Sequence, residues 1–337
     1  MKKLVPPKIV RRLVVAPLVV LFCLVVVWAT PILLLAALLG DAVKRTRLGL
    51  TRVTAFGIVF AAAEAAMIVA LFVLWVVSGF GLLRLESAHE TVLRTWLRVL
   101  SWAAVVSLGL RIVALDSPEP RPGPLLVFGR HAGLGNSLMM IRQLMVRYHR
   151  RPRVVMLSFL QWDPIIDVVC HRLPSLFIDH DPEHSDEFVR RIGRLAHGMG
   201  DRDAFVLYPE GNDFTERLRL RAIDYLRRKG HDRWADRAEQ MERVLPPRHR
   251  GPLAAIQGAP DADVVLVAHT ILEELGSLRG LYRKLPLQRP IVGRYWRIPA
   301  ADVPREEEPL IEWLYDWWRV IDDWIDEHAP VSAKVPA

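Results

Sequence analysis

The stretch LLVFGRHAGLGNS, at positions 125–137, joins an apolar run to a histidine that is surrounded by small residues. The run at 125–128 predicts a buried strand, and the glycines beside His131 let a ligand approach the backbone. Asn136 or Ser137 can cap a following helix, whose free N–H groups favour an anion. His131 therefore stands at a strand end, as a general base or as a histidine satisfied by backbone hydrogen bonds.

The second part of the chain alternates short apolar runs with helical stretches in the same way. This alternation predicts an α/β fold with a central, mostly parallel sheet flanked by helices. In such folds the functional residues follow the carboxyl ends of the strands. The strand candidates are 111–115, 125–128, 153–158, 205–208 and 263–270, and the helix candidates are 137–149, 184–199, 215–229 and 310–325.

The segment 1–112 has the character of a membrane anchor and precedes a domain at 113–337. Hydrophobic residues make up 52% of the chain and concentrate in runs at 13–39 and 65–83. A run of about 20 apolar residues crosses the hydrocarbon layer, so the two runs predict a hydrophobic helical hairpin. A cleaved signal peptide is the alternative for the first run, but the run is too long and no small-x-small site follows it.

Two placements of this hairpin fit the sequence. The N-terminus and the loop at 41–52 are both basic, so the positive-inside rule gives no orientation. The hairpin either spans the bilayer with both ends cytoplasmic or is re-entrant and monotopic. The amphipathic stretch at about 89–110 fits an interfacial membrane helix or an ordinary core-facing helix. Glu64 is either a functional acid within the membrane or the interfacial end of the second helix.

Charge and cysteine content restrict the classes of partner. The net charge is +8 and the isoelectric point is near 9.8, which favours an anionic membrane, an anionic substrate or nucleic acid. The basic residues are dispersed and do not interleave with aromatic residues, so we expect no nucleic-acid partner. Cys23 and Cys170 have no metal-ligand spacing, so we expect neither a zinc site nor a disulfide scaffold.

A second polar stretch, YPEGN at 208–212, also follows a predicted strand. The next helix carries Arg217, Arg219 and Arg221, and guanidinium groups match phosphate oxygens in bidentate fashion. Arg217 and Arg221 share one helix face, so at most two of the three can converge on one ligand. The cluster is a candidate phosphate site, with a solvated basic helix face as the alternative.

The order and spacing of these motifs resemble the 1-acylglycerol-3-phosphate acyltransferase family of glycerolipid acyltransferases, in a form typical of actinobacteria. The family's His-x4-Asp motif aligns with His131 and Asn136, and its Pro-Glu-Gly block aligns with 209–211. The resemblance covers roughly 111–325. The other matches are a second motif at 160–164 with Asp167 and 172–174, and a fourth at the strand 263–270, where the family's usual proline is missing.

The resemblance implies a membrane-bound acyltransferase of phospholipid biosynthesis. It implies that a fatty acyl group moves from an acyl thioester, either acyl-CoA or an acyl carrier protein, to a lysophospholipid hydroxyl. The expected acceptor is 1-acylglycerol-3-phosphate. No metal and no tightly bound cofactor are needed. The expected location is the cell membrane, with the catalytic domain on the cytoplasmic side.

The resemblance also assigns roles to residues of this sequence. His131 takes the proton from the acceptor hydroxyl, and the motif residue at 136 orients the imidazole. Backbone amides around 133–137 stabilise the oxyanion. The glycerol-phosphate is placed by Glu210, Gly211 and a nearby arginine, for which Arg217 is the first candidate and Arg172 the second.

Asn136 departs from the family's His-x4-Asp motif, because an amide carries no charge. In serine proteases the corresponding Asp-to-Asn change costs about 10⁴ in turnover. Three outcomes fit the sequence. The enzyme is slow or differently tuned, or another carboxylate such as Asp163 or Asp213 replaces the missing one. The third outcome is a lipid-binding membrane protein of the same fold that has lost catalysis, with Asn136 serving only its helix.

Overall fold

A seven-stranded sheet forms the centre of the molecule. The structure is a computed structural model that describes residues 5–115, 122–132, 135–178, 186–270 and 282–328. The strand order is β1-β7-β6-β2-β5-β3-β4, and every neighbouring pair is parallel except β6 with β7. The strands are β1 (Ile112–Leu115), β2 (Leu125–Gly129), β3 (Arg151–Leu157), β4 (Ser175–Ile178), β5 (Asp203–Leu207), β6 (Asp263–His269) and β7 (Ile291–Ile298).

The predicted α/β class with a mostly parallel sheet is confirmed. The central strand β2 is buried along its whole length, as expected when helices cover both faces of a parallel sheet. Phe128 of β2 lies opposite Leu207 of β5 and Leu266 of β6. Because β2 and β5 are parallel neighbours, the loops that follow them meet at one edge of the sheet. These loops carry the two polar stretches of the sequence.

One face of the sheet is covered by helices from the second half of the chain. The last helix inserts Leu314, Trp318 and Ile321 into this layer, and all three are fully buried. Ile223 and Ile192 extend the same core. The helices of this face are α7 (Asp186–Ala196), α8 (Glu216–Arg228), α9 (Asp232–Glu239), α10 (Arg250–Gly258) and α11 (Glu307–His328).

The opposite face is covered by α4 (Glu86–Leu108), α5 (Asn136–Arg142, continued by a π-helical turn at Gln143–Arg147) and α6 (Pro164–Cys170). Trp96 and Leu97 of α4 are buried and pack with Val127 and Val206 of the sheet. The stretch at 89–110 fitted either an interfacial membrane helix or a core-facing helix. In the structure its buried residues face the core.

The hydrophobic hairpin lies on the outside of α4. It consists of α1 (Lys8–Trp28), α2 (Thr30–Lys44) and α3 (Gly49–Val77). The first apolar run, expected as one helix, is interrupted at Ala29, and a proline occupies the first turn of α2. Asp41 closes the hairpin by accepting the backbone N–H groups of Leu50 at 2.9 Å and Thr51 at 2.8 Å.

Both ends of α3 contact the rest of the protein. Near its start, the Arg52 guanidinium donates to the Ser107 carbonyl oxygen at 3.0 Å. Just beyond its end, Arg172 donates to the Gly81 carbonyl oxygen at 3.2 Å. Midway, Glu64 is buried and accepts from the Trp96 indole N–H at 3.1 Å, so it does not mark an interfacial helix end. The 29 residues of α3 extend about 43 Å, and this length lies along the domain.

Three described helices are long and apolar enough to cross a membrane, namely α1, α3 and α4. Their lipid-compatible surface is largely uncovered by protein. Trp28 and Leu13 of α1 and Val77 of α3 expose 81%, 71% and 69% of their surfaces. Exposed apolar area on this scale indicates a membrane or a partner.

A buried ion pair fastens the start of the hairpin to α6. Asp167 accepts from Arg11 Nε at 3.1 Å and Nη2 at 2.6 Å, and both side chains are nearly inaccessible to solvent. Arg12 reaches the other carboxylate oxygen at 3.3 Å. Gln161 accepts a further Arg11 N–H at 2.9 Å, so the guanidinium is well satisfied.

We expect Asp167→Ala to destabilise the protein by about 3–5 kcal/mol, because it leaves the Arg11 guanidinium buried without its counter-charge. Asp224→Ala is the matched control, since Asp224 pairs with Arg228 on an exposed helix face. This control should lose less than about 1 kcal/mol. Denaturant unfolding in detergent measures both, and equal losses in the two variants would contradict the assignment.

Candidate functional site

His131 lies just beyond the end of β2, and the loop at 208–214 surrounds it. The His131 backbone N–H donates to Glu210 Oε1 at 3.3 Å, and its carbonyl oxygen accepts from the Phe214 N–H at 2.8 Å. The imidazole packs on the Tyr208 ring with centroids 4.4 Å apart. The two polar stretches of the sequence therefore form one site.

The carboxylate nearest to the His131 ring in the described structure is that of Asp213. His131 Nδ1 lies 2.5 Å from Asp213 Oδ1. Nδ1 is buried and has no hydrogen-bond partner among the described residues, so the two groups are in close contact without a hydrogen bond. The His131 side chain is 25% exposed and that of Asp213 is 53% exposed. With Nδ1 buried, the accessible part of the imidazole belongs to the rest of the ring, which includes Nε2.

Asn136 is not in contact with the His131 ring. Its side chain is buried, and Nδ2 donates to the Arg130 carbonyl oxygen at 2.9 Å. Asn136 therefore braces the start of α5 against the end of β2, a role that differs from the one implied by the family motif. Asp163, the other carboxylate considered, caps α6 by accepting the Ile166 N–H at 2.9 Å. The expected oxyanion donors at 133–137 include Gly133 and Leu134, which lie outside the described residues.

Glu210 lies in the interior and connects three parts of the site. It is 1% exposed, and besides His131 it accepts the Leu245 backbone N–H at 3.2 Å. Burial raises the pKa of Glu210 to about 8, against the opposing effects of the nearby Arg130 charge and the two backbone N–H groups. In this arrangement Glu210 holds the loops together and does not present its carboxylate to a ligand.

The sequence analysis did not single out Arg130, although it stands beside the histidine. Its side chain is fully buried and donates to the Arg243 carbonyl oxygen through Nε at 3.0 Å and Nη2 at 2.6 Å. Nη1 reaches the His269 carbonyl oxygen at 3.4 Å. The available sequence signal was a charged residue directly after a buried strand. An arginine buried at that place requires hydrogen-bond acceptors such as these two carbonyl oxygens.

Gly211 lies at the turn of the loop, and the guanidinium of Arg248 packs against it. Its φ is +71°, a conformation that favours glycine, and its N–H donates to the Tyr208 carbonyl oxygen at 3.0 Å. A Cβ at this position would lie 2.8 Å from Arg248 Nη1. Arg248 is exposed and its own backbone N–H donates to the Pro209 carbonyl oxygen at 3.0 Å. Nothing in the sequence pattern pointed to Arg248.

The two arginines expected to bind phosphate lie in different places. Arg217 is exposed in the first turn of α8, a few residues after Asp213, whereas Arg219 pairs with Glu216 at 2.8 Å. Arg172 lies at the end of α3, where it donates to Gly81. The described contacts join neither Arg217 nor Arg172 to His131. Across the described ranges, no group of three or more His, Cys, Asp or Glu side chains is placed to hold a metal ion.

An apolar groove of about 520 Å³ runs between the hairpin and the start of α6. Its walls come from all three hairpin helices and from the turn before α6, and Glu64 and Asp163 are its acidic members. The groove opens beside the exposed apolar surface of the hairpin. Representative lining residues are Val19, Phe22, Leu33, Ile58, Phe60 and Trp162.

Comparison with known proteins shows similarity both by sequence and by structure. The chain is 22% identical over 191 residues to an uncharacterised acyltransferase of Schizosaccharomyces pombe, a match that covers 53% of this chain and 52% of that protein. The chain thus spans about half the length of this curated relative. The relative confirms the acyltransferase resemblance of the motifs. No family model matches the sequence.

A similar solved structure is the 1-acyl-sn-glycerophosphate acyltransferase PlsC from Thermotoga maritima. It is 14% identical to this chain, and the superposition covers 80% of this chain and 97% of that one with a TM-score of 0.42.

We expect Glu210 to make stability depend on pH. An unfolded glutamate has a pKa of about 4.3, so between about pH 4.3 and 8 the native state holds more proton than the unfolded state, and stability decreases as pH rises. Glu210→Gln removes this titration and adds a pH-independent cost, because an amide nitrogen replaces one acceptor oxygen. Thermal unfolding at pH 5 and pH 8 should show a smaller decrease in the variant. An identical decrease would contradict the assignment.

Proposed function

We propose that this protein is a membrane-bound acyltransferase of phospholipid biosynthesis. It would transfer a fatty acyl group from acyl-CoA or an acyl carrier protein to a lysophospholipid hydroxyl, with 1-acylglycerol-3-phosphate as the foremost acceptor. The observation that carries this proposal is the imidazole of His131, held at the end of β2 with Nδ1 against the Asp213 carboxylate.

The proposed reaction uses His131 as a general base. The imidazole takes the proton of the acceptor hydroxyl as the oxygen attacks the thioester carbonyl, and a carbon–oxygen bond forms. The tetrahedral intermediate then expels the thiol as the carbon–sulfur bond breaks, and the imidazolium returns the proton to the sulfur. Glu210 contributes by holding the His131 backbone in place, as its hydrogen bond at 3.3 Å supports.

The phosphate of the acceptor is assigned to exposed arginines near the turn at Gly211. Arg248 presents its guanidinium directly to this turn, and Arg217 follows in the first turn of α8. A guanidinium offers paired N–H groups to phosphate oxygens. In the family that the motifs resemble, an arginine directly follows Glu-Gly-Thr, whereas here Asn212 and Asp213 stand instead of the threonine and the arginine. Arg248 supplies the missing charge from another segment of the chain.

The apolar groove beside the hairpin is the proposed site for an acyl chain. Its lining is aliphatic and aromatic over most of its length, and the hairpin surface around it is compatible with lipid. Donor and acceptor chains both partition into the bilayer. A groove that opens toward lipid lets a chain leave the membrane without crossing water.

Acyl transfer should disappear in His131→Ala, because the variant has no group to accept the hydroxyl proton. We expect turnover to fall by about 10²–10⁴. Purified protein in detergent is assayed with labelled acyl-CoA and acyl carrier protein against a panel of lysophospholipids, starting with lysophosphatidic acid. His197→Ala, at an exposed histidine of another loop, should retain wild-type turnover.

Two results would overturn this function. Wild-type turnover in His131→Ala would exclude the proposed base. Absence of turnover in the wild type on every acceptor, together with retained binding of phospholipid vesicles, would favour a lipid-binding protein without catalysis.

We further propose that the hairpin is monotopic and lies within one leaflet on the cytoplasmic side. Both ends of α3 are held by segments that pack on the sheet, through Ser107 of α4 at one end and Arg172, just after α6, at the other. A spanning hairpin would have to place these two ends on opposite sides of about 30 Å of hydrocarbon. The domain they both contact would then cross the membrane as well.

Cysteine labelling distinguishes the two placements. Arg47→Cys lies at the hairpin turn and Arg289→Cys marks the catalytic domain, and both residues are exposed. An impermeant maleimide should label both variants in inside-out vesicles and neither in intact spheroplasts. The wild type, with Cys23 and Cys170, gives the background. Labelling of the hairpin variant from outside the cell would contradict a monotopic hairpin.

A further inference from the structure

We propose that Asp213 is the positioning residue for His131, in place of the residue five positions after the histidine that the family motif supplies. This inference rests on the proposed function. It concerns where the carboxylate comes from, since Asp213 belongs to the loop after β5 and Asn136 to the helix after β2. The site would then be assembled from two strand-end loops.

The position of Asp213 is set by the chain around it. Phe214, its neighbour, is hydrogen-bonded to the His131 carbonyl oxygen at 2.8 Å. Earlier in the same loop, Tyr208 packs on the imidazole and Glu210 accepts the His131 N–H. These three contacts fix the loop against both the backbone and the ring of His131. The loop path therefore places the Asp213 backbone beside the ring, and from there the side chain approaches Nδ1 to 2.5 Å.

Nδ1 has no competing polar partner among the described residues. The atom is buried, and no hydrogen bond is formed to it in the described part of the chain. In the working site, Asp213 would accept the ring N–H from this position. A proton held on Nδ1 by a carboxylate leaves Nε2 free to accept the proton of the acceptor hydroxyl, and the negative charge stabilises the imidazolium that results.

The environment of Asn136 explains why an amide serves better than a carboxylate there. Its Nδ2 donates to the Arg130 carbonyl oxygen, and the residue is 3% exposed. A carboxylate has no N–H to donate and would face that carbonyl oxygen in a buried setting. Asp213 is half-exposed, so its charge keeps its hydration. The amide of Asn136 therefore lies where a hydrogen-bond donor is needed, and the carboxylate of Asp213 lies where its charge stays hydrated.

The closing experiment exchanges the two side chains. We expect Asp213→Asn to lower kcat by about 10²–10⁴ with KM little changed, because the ring loses its orienting charge but substrate contacts remain. Asp213→Glu should retain part of the activity. Asn136→Asp in the Asp213→Asn background should not restore kcat, because the side chain at 136 contacts the Arg130 carbonyl oxygen. Asp224→Asn, an exposed acid on α8, should have no effect.

The outcomes separate this inference from the proposed function. Asp213→Asn with wild-type kcat, while His131→Ala is inactive, would overturn the role of Asp213 and leave the acyltransferase in place. A large gain in Asn136→Asp alone would also overturn it, since it would mean that Asp213 does not serve the ring. No turnover in the wild type would overturn the proposed function and this inference with it. Loss of kcat without a rise in KM in Asp213→Asn, together with partial activity in Asp213→Glu, is the result that a purely structural role for Asp213 does not produce. Recovery in the double variant would show that position 136 serves the ring and would overturn the inference.

Discussion

The carboxyl group of Glu210 has almost no access to solvent. It accepts the backbone N–H groups of His131 and Leu245, and it lies beside the buried charge of Arg130. Arg130 in turn donates to the Arg243 carbonyl oxygen, and the backbone N–H of Arg243 donates to Asp322 of α11 at 2.6 Å. The strand-end loops are therefore connected through polar contacts to the last helix of the chain. Buried charges of this kind persist only where every partner is present, so the site has one arrangement.

The sequence predicts the parts of the fold that depend on local apolar pattern. The strands β2, β5 and β6 are continuous apolar runs, and the last helix has a clear stripe, so both follow from periodicity. The strand β7 does not, because Gly293, Arg294 and Arg297 interrupt its apolar pattern. Arg297 pairs with Asp263 of the neighbouring strand β6 at 2.7 Å. The helix α10 contains Gly251 and Pro252 near its start. These residues disfavour a helix, so the sequence pattern did not predict α10.

The candidate site, like the fold, could be predicted from the sequence only in part. The placement of His131 and of the loop at 208–214 follows from the rule that functional residues stand after parallel strands. The partner of the imidazole does not, because the motif spacing points to position 136 whereas the contact is made by Asp213. No local sequence pattern indicates Arg248, because its approach to Gly211 depends on the path of the whole segment after α9. Contacts between distant segments are decided by packing, which periodicity does not encode.

The position of α3 on the outer side of α4 has a consequence for how the protein is made. Trp96 shares its indole N–H with Glu64, and the apolar back of α4 is covered by the hairpin, so the anchor completes the core of the catalytic layer. A fragment that begins after the hairpin would expose this surface to water. We therefore expect the hairpin and the sheet layer to fold as one unit, so that a fragment without the hairpin does not reach the native packing around Trp96.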